Sequence, residues 1–143
     1  MEQGKILNYW REKMNFQSIS ETYRKTEKQS VNEHSSDYEI VAKIFDELIR
    51  SMNIYSTEIV KEDSNQKLKS EHFARTLTII YTLQSSLDFE KGGEIANNLF
   101  QLYEYARVKV IEDMRNQSSE GTKSAIGHLD EIREAWHTLA DKK

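Results

Sequence analysis

The sequence predicts an all-α protein, and in particular an antiparallel up-and-down four-helix bundle. The chain of 143 residues contains no Pro and only five Gly, while 31% of its residues are charged and 37% are hydrophobic. This composition is typical of helices with well-solvated outer faces. Four segments of about 20 residues also repeat apolar residues at steps of three and four, the period of one helix face. Helices of that length are about 30 Å long, and short polar loops between them favour antiparallel neighbours.

The chain divides into an N-terminal leader, residues 1–35, and one bundle domain, residues 36–143. The apolar residues of the first part of the leader fall on one side of a short helix: Ile6, Leu7, Trp10 and Met14. A helix this short is marginal in water, so the segment either docks on the bundle or stays apart from it. Residues 18–35 are too polar to build a core and predict an irregular stretch.

The first helix begins at Ser36-Asp37-Tyr38-Glu39, which has the form of a capping box. Its apolar residues follow at steps of three and four: Val41, Phe45, Leu48, Met52, Tyr55 and Ile59. The polar run 61–67 then predicts a loop, where the chain reverses direction.

The second helix extends over about residues 67–87. One side carries Phe73, Leu77, Ile80, Leu83 and Leu87. Ile79 and Tyr81 point away from that side, so their apolar surface needs another partner.

The third helix follows Gly92-Gly93, the only adjacent Gly pair, which we expect to end the second helix because Gly takes positive φ at little steric cost. Its apolar face contains Ile95, Leu99, Leu102, Ala106 and Val110. Turn-forming residues at 116–121 end it. The fourth helix has its own apolar face: Ala125, Leu129, Ile132, Trp136 and Leu139.

Composition and charge exclude several classes of protein. The net charge of −4 and the pI near 5.6, without a basic stripe, argue against nucleic acid as a partner. No Cys is present, so disulfides and thiolate metal sites are ruled out. Neither a signal peptide nor an apolar run of the ~20 residues that span a bilayer occurs. We therefore expect a soluble, cytoplasmic protein with no membrane insertion.

The residues offer little support for an enzyme. Glu134-x-x-His137 matches one half-motif of a di-iron bundle, but that architecture needs two such pairs and two further inward Glu. No Ser nucleophile pairs with a base, and Gly92-Gly93 lacks the pattern of a phosphate-binding loop. We expect no metal, no cofactor and no catalytic residue.

Binding is better supported, because apolar residues exceed one narrow face per helix. The surplus includes Ile44 beside Phe45 and Ile79 beside Ile80. Such residues belong either to a wide core or to a groove for a partner. Tyr103 and Tyr105 suit either place, since a phenol can pack its ring and keep its hydroxyl in water.

The segment LDFEKGGEIANNLFQLYEY, residues 87–105, resembles the hallmark segment of the FliS family, the export chaperones of flagellin. The resemblance lies in the acidic Gly-Gly turn, in Asn98-Leu99 and in the ending Leu102-Tyr103-x-Tyr105. It covers residues 36–140 and extends more weakly upstream to Tyr23. Ile44-Phe45-Asp46-Glu47 and Glu134-Ala135-Trp136 also resemble family motifs in the same order.

The resemblance implies a non-enzymatic cytoplasmic chaperone. Such a chaperone binds the disordered C-terminal region of flagellin, prevents premature polymerisation and delivers its client to the flagellar type III export apparatus. Export-gate proteins or co-chaperones are further partners to expect. The alternative is a helical-bundle adaptor or structural protein that binds another helical client. From the surplus residues and the resemblance together, the expected partner-binding residues are Tyr23, Ile44, Ile79, Tyr81, Asn98, Tyr103 and Tyr105.

Three departures from the family pattern stand out. Ser36-Asp37 replaces the usual Ser-Pro, and Glu47 replaces a small Gly. The leader is also about 15–20 residues longer than the family pattern, including the Trp10 segment. In the family, a tyrosine of the N-terminal segment covers a client-binding pocket, and Tyr23 resembles that residue.

Overall fold

The computed structural model describes residues 37–141, which form four helices. Their bounds are α1 Asp37–Ile59, α2 Gln66–Ser85, α3 Phe89–Asn116 and α4 Glu120–Asp141. The all-α fold with four packed helices is therefore confirmed. The leader and the Ser36 cap lie outside the described residues, so the division at residue 35 and the docking of a short helix stay predictions.

The helices follow one another around the bundle in chain order. α1 packs against α2 and α4, and α3 packs against the same two helices. This leaves α1 opposite α3 and α2 opposite α4. Because the connecting loops are short, neighbouring helices are antiparallel, as in an up-and-down bundle.

The core is built from the apolar faces predicted by the periodicity. The largest fully buried side chains come from all four helices: Phe45, Leu48 and Tyr55 of α1, Ile80 and Leu83 of α2, Tyr103 of α3, and Leu129 and Trp136 of α4. Burying one large apolar side chain contributes roughly 1.5–3 kcal/mol, so this cluster dominates the stability of the bundle.

The loop between α1 and α2 is closed by a buried carboxylate. Glu58 accepts a hydrogen bond of 2.7 Å from Lys61 Nζ and one of 2.9 Å from the Asn65 backbone N–H. The Lys61 hydrogen bond, supported by that backbone N–H, lowers the pKa of Glu58. Asn65 in turn caps α2, since its side chain accepts the Leu68 N–H at 2.9 Å.

The expectation that Gly92-Gly93 ends the second helix was wrong. α2 ends earlier, at Ser85, and Asp88 starts a new helical turn by accepting the Lys91 N–H at 3.0 Å. Asp is a strong N-cap, so the helix start comes ahead of the Gly pair. Gly93, at φ 48° and ψ −123°, then kinks α3 after that first turn. The predicted positive φ is present, but it bends one helix instead of ending another.

Polar side-chain contacts hold α1 against α2. On the α2 side, Arg75 Nη1 lies 2.6 Å from Glu47 Oε1, and His72 Nδ1 lies 3.1 Å from Ser51 Oγ. His72 and Ser51 are both buried. His72 therefore belongs to the α1–α2 interface.

Among the helices of residues 37–141, none combines the length and apolar character needed to cross a membrane. Each of the four helices carries charged residues at exposed positions.

Candidate functional site

In Glu134-x-x-His137, the histidine takes part in helix packing. His137 Nε2 lies 2.7 Å from Asp46 Oδ1 on α1, and Arg133 Nη1 lies 3.1 Å from the same oxygen. Glu134 points outward and is exposed. Within residues 37–141 no group of three or more His, Asp or Glu side chains could hold a metal ion.

Tyr81 is the most prominent predicted residue, with 70% of its surface exposed near the end of α2. It lies on the side of α2 that faces α3. Gln84, one turn further along, is close enough to Glu104 of α3 to help lower the pKa of that carboxyl, after the larger effect of the Arg107 hydrogen bonds. Residues three apart are neighbours on a helix surface, so Tyr81 borders this α2–α3 contact.

Two phenylalanines form a further aromatic surface on α3. Phe89 is 50% exposed, and its ring lies edge-on to Phe100 with the centroids 6.0 Å apart. Phe100 is half-buried and one turn before Glu104.

Sequence reasoning missed Phe89 and Phe100. Both lie within the hallmark segment, and Phe89 follows Asp88 directly. The available signal was Asp88 itself: an Asp that caps a new turn leaves the next side chain at a helix start, where few neighbours cover it. Reading the stretch as a Gly-Gly helix stop hid that signal.

The middle of the α2–α3 border is polar. Glu104 accepts hydrogen bonds from Arg107 through both carboxylate oxygens, the Nη2 bond measuring 3.1 Å. This ion pair raises the pKa of Arg107, chiefly through the hydrogen bond that Arg107 donates to Glu104. Aromatic rings therefore lie on either side of a paired charge along this border.

Tyr105 and Asn98 lie on a different face, toward α4. Tyr105 Oη is 3.0 Å from Ser124 Oγ, and its ring is edge-on to His128 at 5.9 Å between centroids. Lys109 Nζ sits 5.5 Å from the centre of the same ring. Asn98 is exposed two turns earlier on the same side of α3. The structure thus places these two predicted residues together on the α3–α4 face.

Ile79 lies on yet another face, toward α1. It is half-buried, and Arg75, one turn before it on α2, pairs with Glu47 of α1. The exposed predicted residues are therefore not gathered in one pocket. They border three successive helix pairs around the bundle.

Ile44 and Tyr103 are inside the core, with 2% and 0% of their surfaces exposed. Burial raises the pKa of the Tyr103 phenol, and its Oη has no hydrogen-bond partner among residues 37–141. A partner cannot touch either side chain in this conformation, so their contact with a client stays a prediction. Tyr23 lies outside the described residues, and its role is also a prediction.

Together these features define a four-helix bundle with aromatic side chains exposed at its surface. A family model described as "Flagellar protein FliS" matches residues 19–143. The chain belongs to this family, and it is accordingly a non-enzymatic protein of the chaperone class.

Curated relatives agree with the family match. The chain is 28% identical over 109 residues to the flagellar secretion chaperone FliS of Salmonella typhimurium, covering 76% of this chain and 79% of the relative. It is 27% identical over 119 residues to the protein of the same name from Vibrio cholerae, covering 83% and 86%. The flagellar secretion chaperone FliSB of Pseudomonas aeruginosa is 32% identical over 66 residues, covering 46% and 52%.

Proposed function

We propose that this chain is a cytoplasmic flagellar secretion chaperone that binds flagellin for export. It holds the disordered C-terminal region of flagellin, prevents premature polymerisation and delivers the client to the type III export apparatus. The observation that carries the proposal is the family match over residues 19–143. The Salmonella typhimurium and Vibrio cholerae relatives are flagellar secretion chaperones, which supports the same role.

The exposed side chains suggest how the client is held. Tyr81 and Phe89 lie at the α2–α3 border, and Asn98 and Tyr105 lie on the α3–α4 face. A client that touches both surfaces passes around α3. Apolar grooves between helices receive amphipathic helices, while exposed polar side chains such as Asn98 suit the backbone of an extended segment. A mixed helical and extended client fits this arrangement.

Tyr81 and Phe89 are proposed as the strongest client contacts. Aromatic side chains at the centre of an interface carry much of its binding energy, because they bury a large area at little conformational cost. Ile79 and Tyr105 are proposed as contacts of smaller effect, since both are already half-buried within the bundle. Export-gate proteins or co-chaperones are proposed to use the faces that the client leaves open.

Calorimetry with a peptide from the C-terminal region of flagellin tests the proposal. We expect saturable binding at micromolar concentration by the full chain. Tyr81→Ser and Phe89→Ser should each weaken binding about 10-fold or more, as for truncation of an aromatic anchor. Val60→Ser is the matched control, because Val60 is an equally exposed apolar residue, at 54%, just after α1.

The outcomes distinguish a flagellin chaperone from an adaptor for another helical client. Binding that is lost in Tyr81→Ser but kept in Val60→Ser supports a chaperone whose client lies along α2 and α3. Absence of saturable binding to the flagellin peptide would instead favour an adaptor for another helical client.

A further inference from the structure

We propose that the side of the bundle where α1 meets α2 is a docking surface for an acidic segment of a protein partner other than the client. We call this surface the α1–α2 face; its charged residues are Lys43, Glu47, Arg50, Lys67, Glu71 and Arg75. The proposed client anchors, Tyr81 and Phe89, lie at the α2–α3 border instead. The docking therefore goes beyond the proposed function and does not depend on the identity of the client.

α2 is the one helix of residues 37–141 with a net positive charge. It carries three basic residues and one acidic residue: Lys67, Lys69, Arg75 and Glu71. The other helices are net negative, with two basic against five acidic residues in α1, four against five in α3, and two against five in α4. An acidic partner is therefore repelled by most of the bundle and attracted to the side that α2 occupies.

α1 adds its own basic residues to the same side. Arg50 lies one turn after Glu47, whose carboxylate pairs with Arg75 of α2. Lys43 lies one turn before Glu47, and residues four apart share a helix face. The neighbouring acidic residue Asp46 faces the other way, since it pairs with α4. The basic residues of α1 and α2 thus meet on one face.

One carboxylate on this face is shared by two guanidinium groups. Glu47 Oε1 lies 3.0 Å from Arg50 Nη1 and 2.6 Å from Arg75 Nη1. The Glu47 side chain is only 18% exposed, while those of Arg50 and Arg75 are 57% and 39% exposed. A guanidinium carries five N–H donors in a fork that matches the geometry of a carboxylate. The cluster holds two positive charges against one negative charge, and a partner carboxylate completes its balance.

The buried His72 beside this cluster responds to the excess of positive charge. Burial is the main cause that lowers the pKa of His72, and the Arg50 and Arg75 charges lower it further. The Glu47 and Glu71 carboxylates raise that pKa, but by less than the two arginines lower it. The carboxylates of the face therefore do not cancel its guanidinium charges, which agrees with the count of charges.

The pattern of charges fits a protein segment better than a nucleic acid or a membrane. Glu47 and Glu71 interrupt the basic residues, whereas a phosphate backbone needs a continuous basic stripe. The net negative charge of the chain also repels an anionic bilayer. Lys67 and Arg75 are two turns apart on α2, about 12 Å by the helical rise. A segment with carboxylates spaced over about that distance matches the face.

Titration of the 15N-labelled full chain with a model peptide tests the docking. The probe is an alanine-based peptide of about 16 residues, long enough for a helix, with Glu at every fourth position. We expect saturable chemical-shift changes at the amides of the α1–α2 face, which disappear at about 1 M salt. Arg50→Gln should weaken binding several-fold. Lys123→Gln, an exposed residue of α4, is the matched control and should leave binding unchanged. Equal binding of a peptide with Gln in place of Glu overturns the proposal.

Glu47→Gln distinguishes a docking surface from ion pairs that only stabilise the bundle. The substitution removes the internal competitor for both guanidinium groups, so the acidic peptide should bind several-fold more tightly. Unchanged or weaker binding by this variant, with a urea midpoint that shows it to be folded, overturns the proposal. Arg50→Gln decides the question if Glu47→Gln does not fold.

Two further titrations separate the docking from the proposed function and from other ligands. Saturating flagellin peptide should change the affinity for the acidic peptide by less than about twofold, as for sites without shared contacts. Displacement of the acidic peptide by the flagellin peptide would assign the face to the client and overturn a separate partner. If the flagellin peptide does not bind at all, the proposed function fails, while the acidic peptide still tests the docking. Binding to phosphatidylglycerol vesicles without binding to the acidic peptide would also overturn the proposal.

Discussion

The Tyr55 hydroxyl donates a hydrogen bond of 2.7 Å to the carbonyl oxygen of Val110, which ties α1 to α3 across the diagonal of the bundle. These two helices lie opposite each other and have few other contacts. The ring of Tyr55 also packs on Phe73 of α2, with 5.5 Å between centroids. One buried side chain therefore joins three helices.

Tyr55→Phe should lower the free energy of unfolding by about 1 kcal/mol. The substitution keeps the ring and removes only the hydroxyl, and a typical buried hydrogen bond contributes about 0.5–1.5 kcal/mol. Urea denaturation measures the change. Tyr81→Phe is the control, because its side chain is 70% exposed and a surface substitution stays within about 0.5 kcal/mol. Equal stability of the two variants would contradict a structural role for the Tyr55–Val110 bond.

The bundle should lose stability above about pH 10, the ordinary pKa of a Tyr phenol. Burial, with a further effect of the Asp113 carboxylate, raises the pKa of Tyr55, and burial alone raises that of Tyr103. Above pH 10 the unfolded chain releases these protons while the folded chain retains them, so the unfolded state gains stability as pH rises. Urea denaturation between pH 9 and about 11.5 measures the slope. Tyr55→Phe and Tyr103→Phe should each make it shallower.

Gly93→Ala should destabilise the protein by about 1–3 kcal/mol. At φ 48° and ψ −123°, a residue with a side chain is strained although open space surrounds its Cβ position. Gly127→Ala is the matched control: its Cβ also meets nothing within 4 Å, but it lies in α4 without positive φ. That change should stabilise by about 0.5–1 kcal/mol through helix propensity. Thermal melts show whether each substitution lowers or raises the melting temperature. Stabilisation by both substitutions would mean that the kink is dispensable.

Stability should also fall as pH drops below about 6.5, the ordinary pKa of His. Burial lowers the pKa of His72, and the nearby Arg50 and Arg75 charges lower it further. Between the lowered folded-state pKa and 6.5, the unfolded chain binds the proton and the folded chain does not, so stability rises with pH in that window. His72→Gln should flatten the pH dependence of the urea midpoint between pH 5 and about 7. An unchanged slope in His72→Gln would mean that other ionisable side chains cause this pH dependence.

The periodicity of the sequence predicts the four helices because each one buries a single face. The loops follow from polar runs such as 61–67, which cannot be buried. The kink could not be predicted in the same way. Asp88 and Gly93 compete to define the local structure, and propensity alone does not decide between a helix stop and a capped turn followed by a bend.

The candidate site was harder to predict than the fold. Ile44 and Ile79 look alike in the sequence, as apolar residues beside the main face, yet Ile44 is buried and Ile79 is half-exposed. The difference arises from the neighbours each helix acquires, which spacing does not encode. Tyr103 and Tyr105 diverge for the same reason.

We expect the Asp113 side chain to stabilise the start of α4. Its buried carboxylate accepts the Thr122 backbone N–H at 2.7 Å, so α3 supplies a cap to the next helix. Asp113→Ala should cost about 1–2 kcal/mol, because an N–H at a helix start then loses its acceptor. Asp113→Asn should cost less, since an amide oxygen can still accept. Urea denaturation compares them, and hydrogen exchange of the Thr122 amide should quicken in the Ala variant. Equal losses in the two variants would mean that the charge, and not the hydrogen bond, secures the turn.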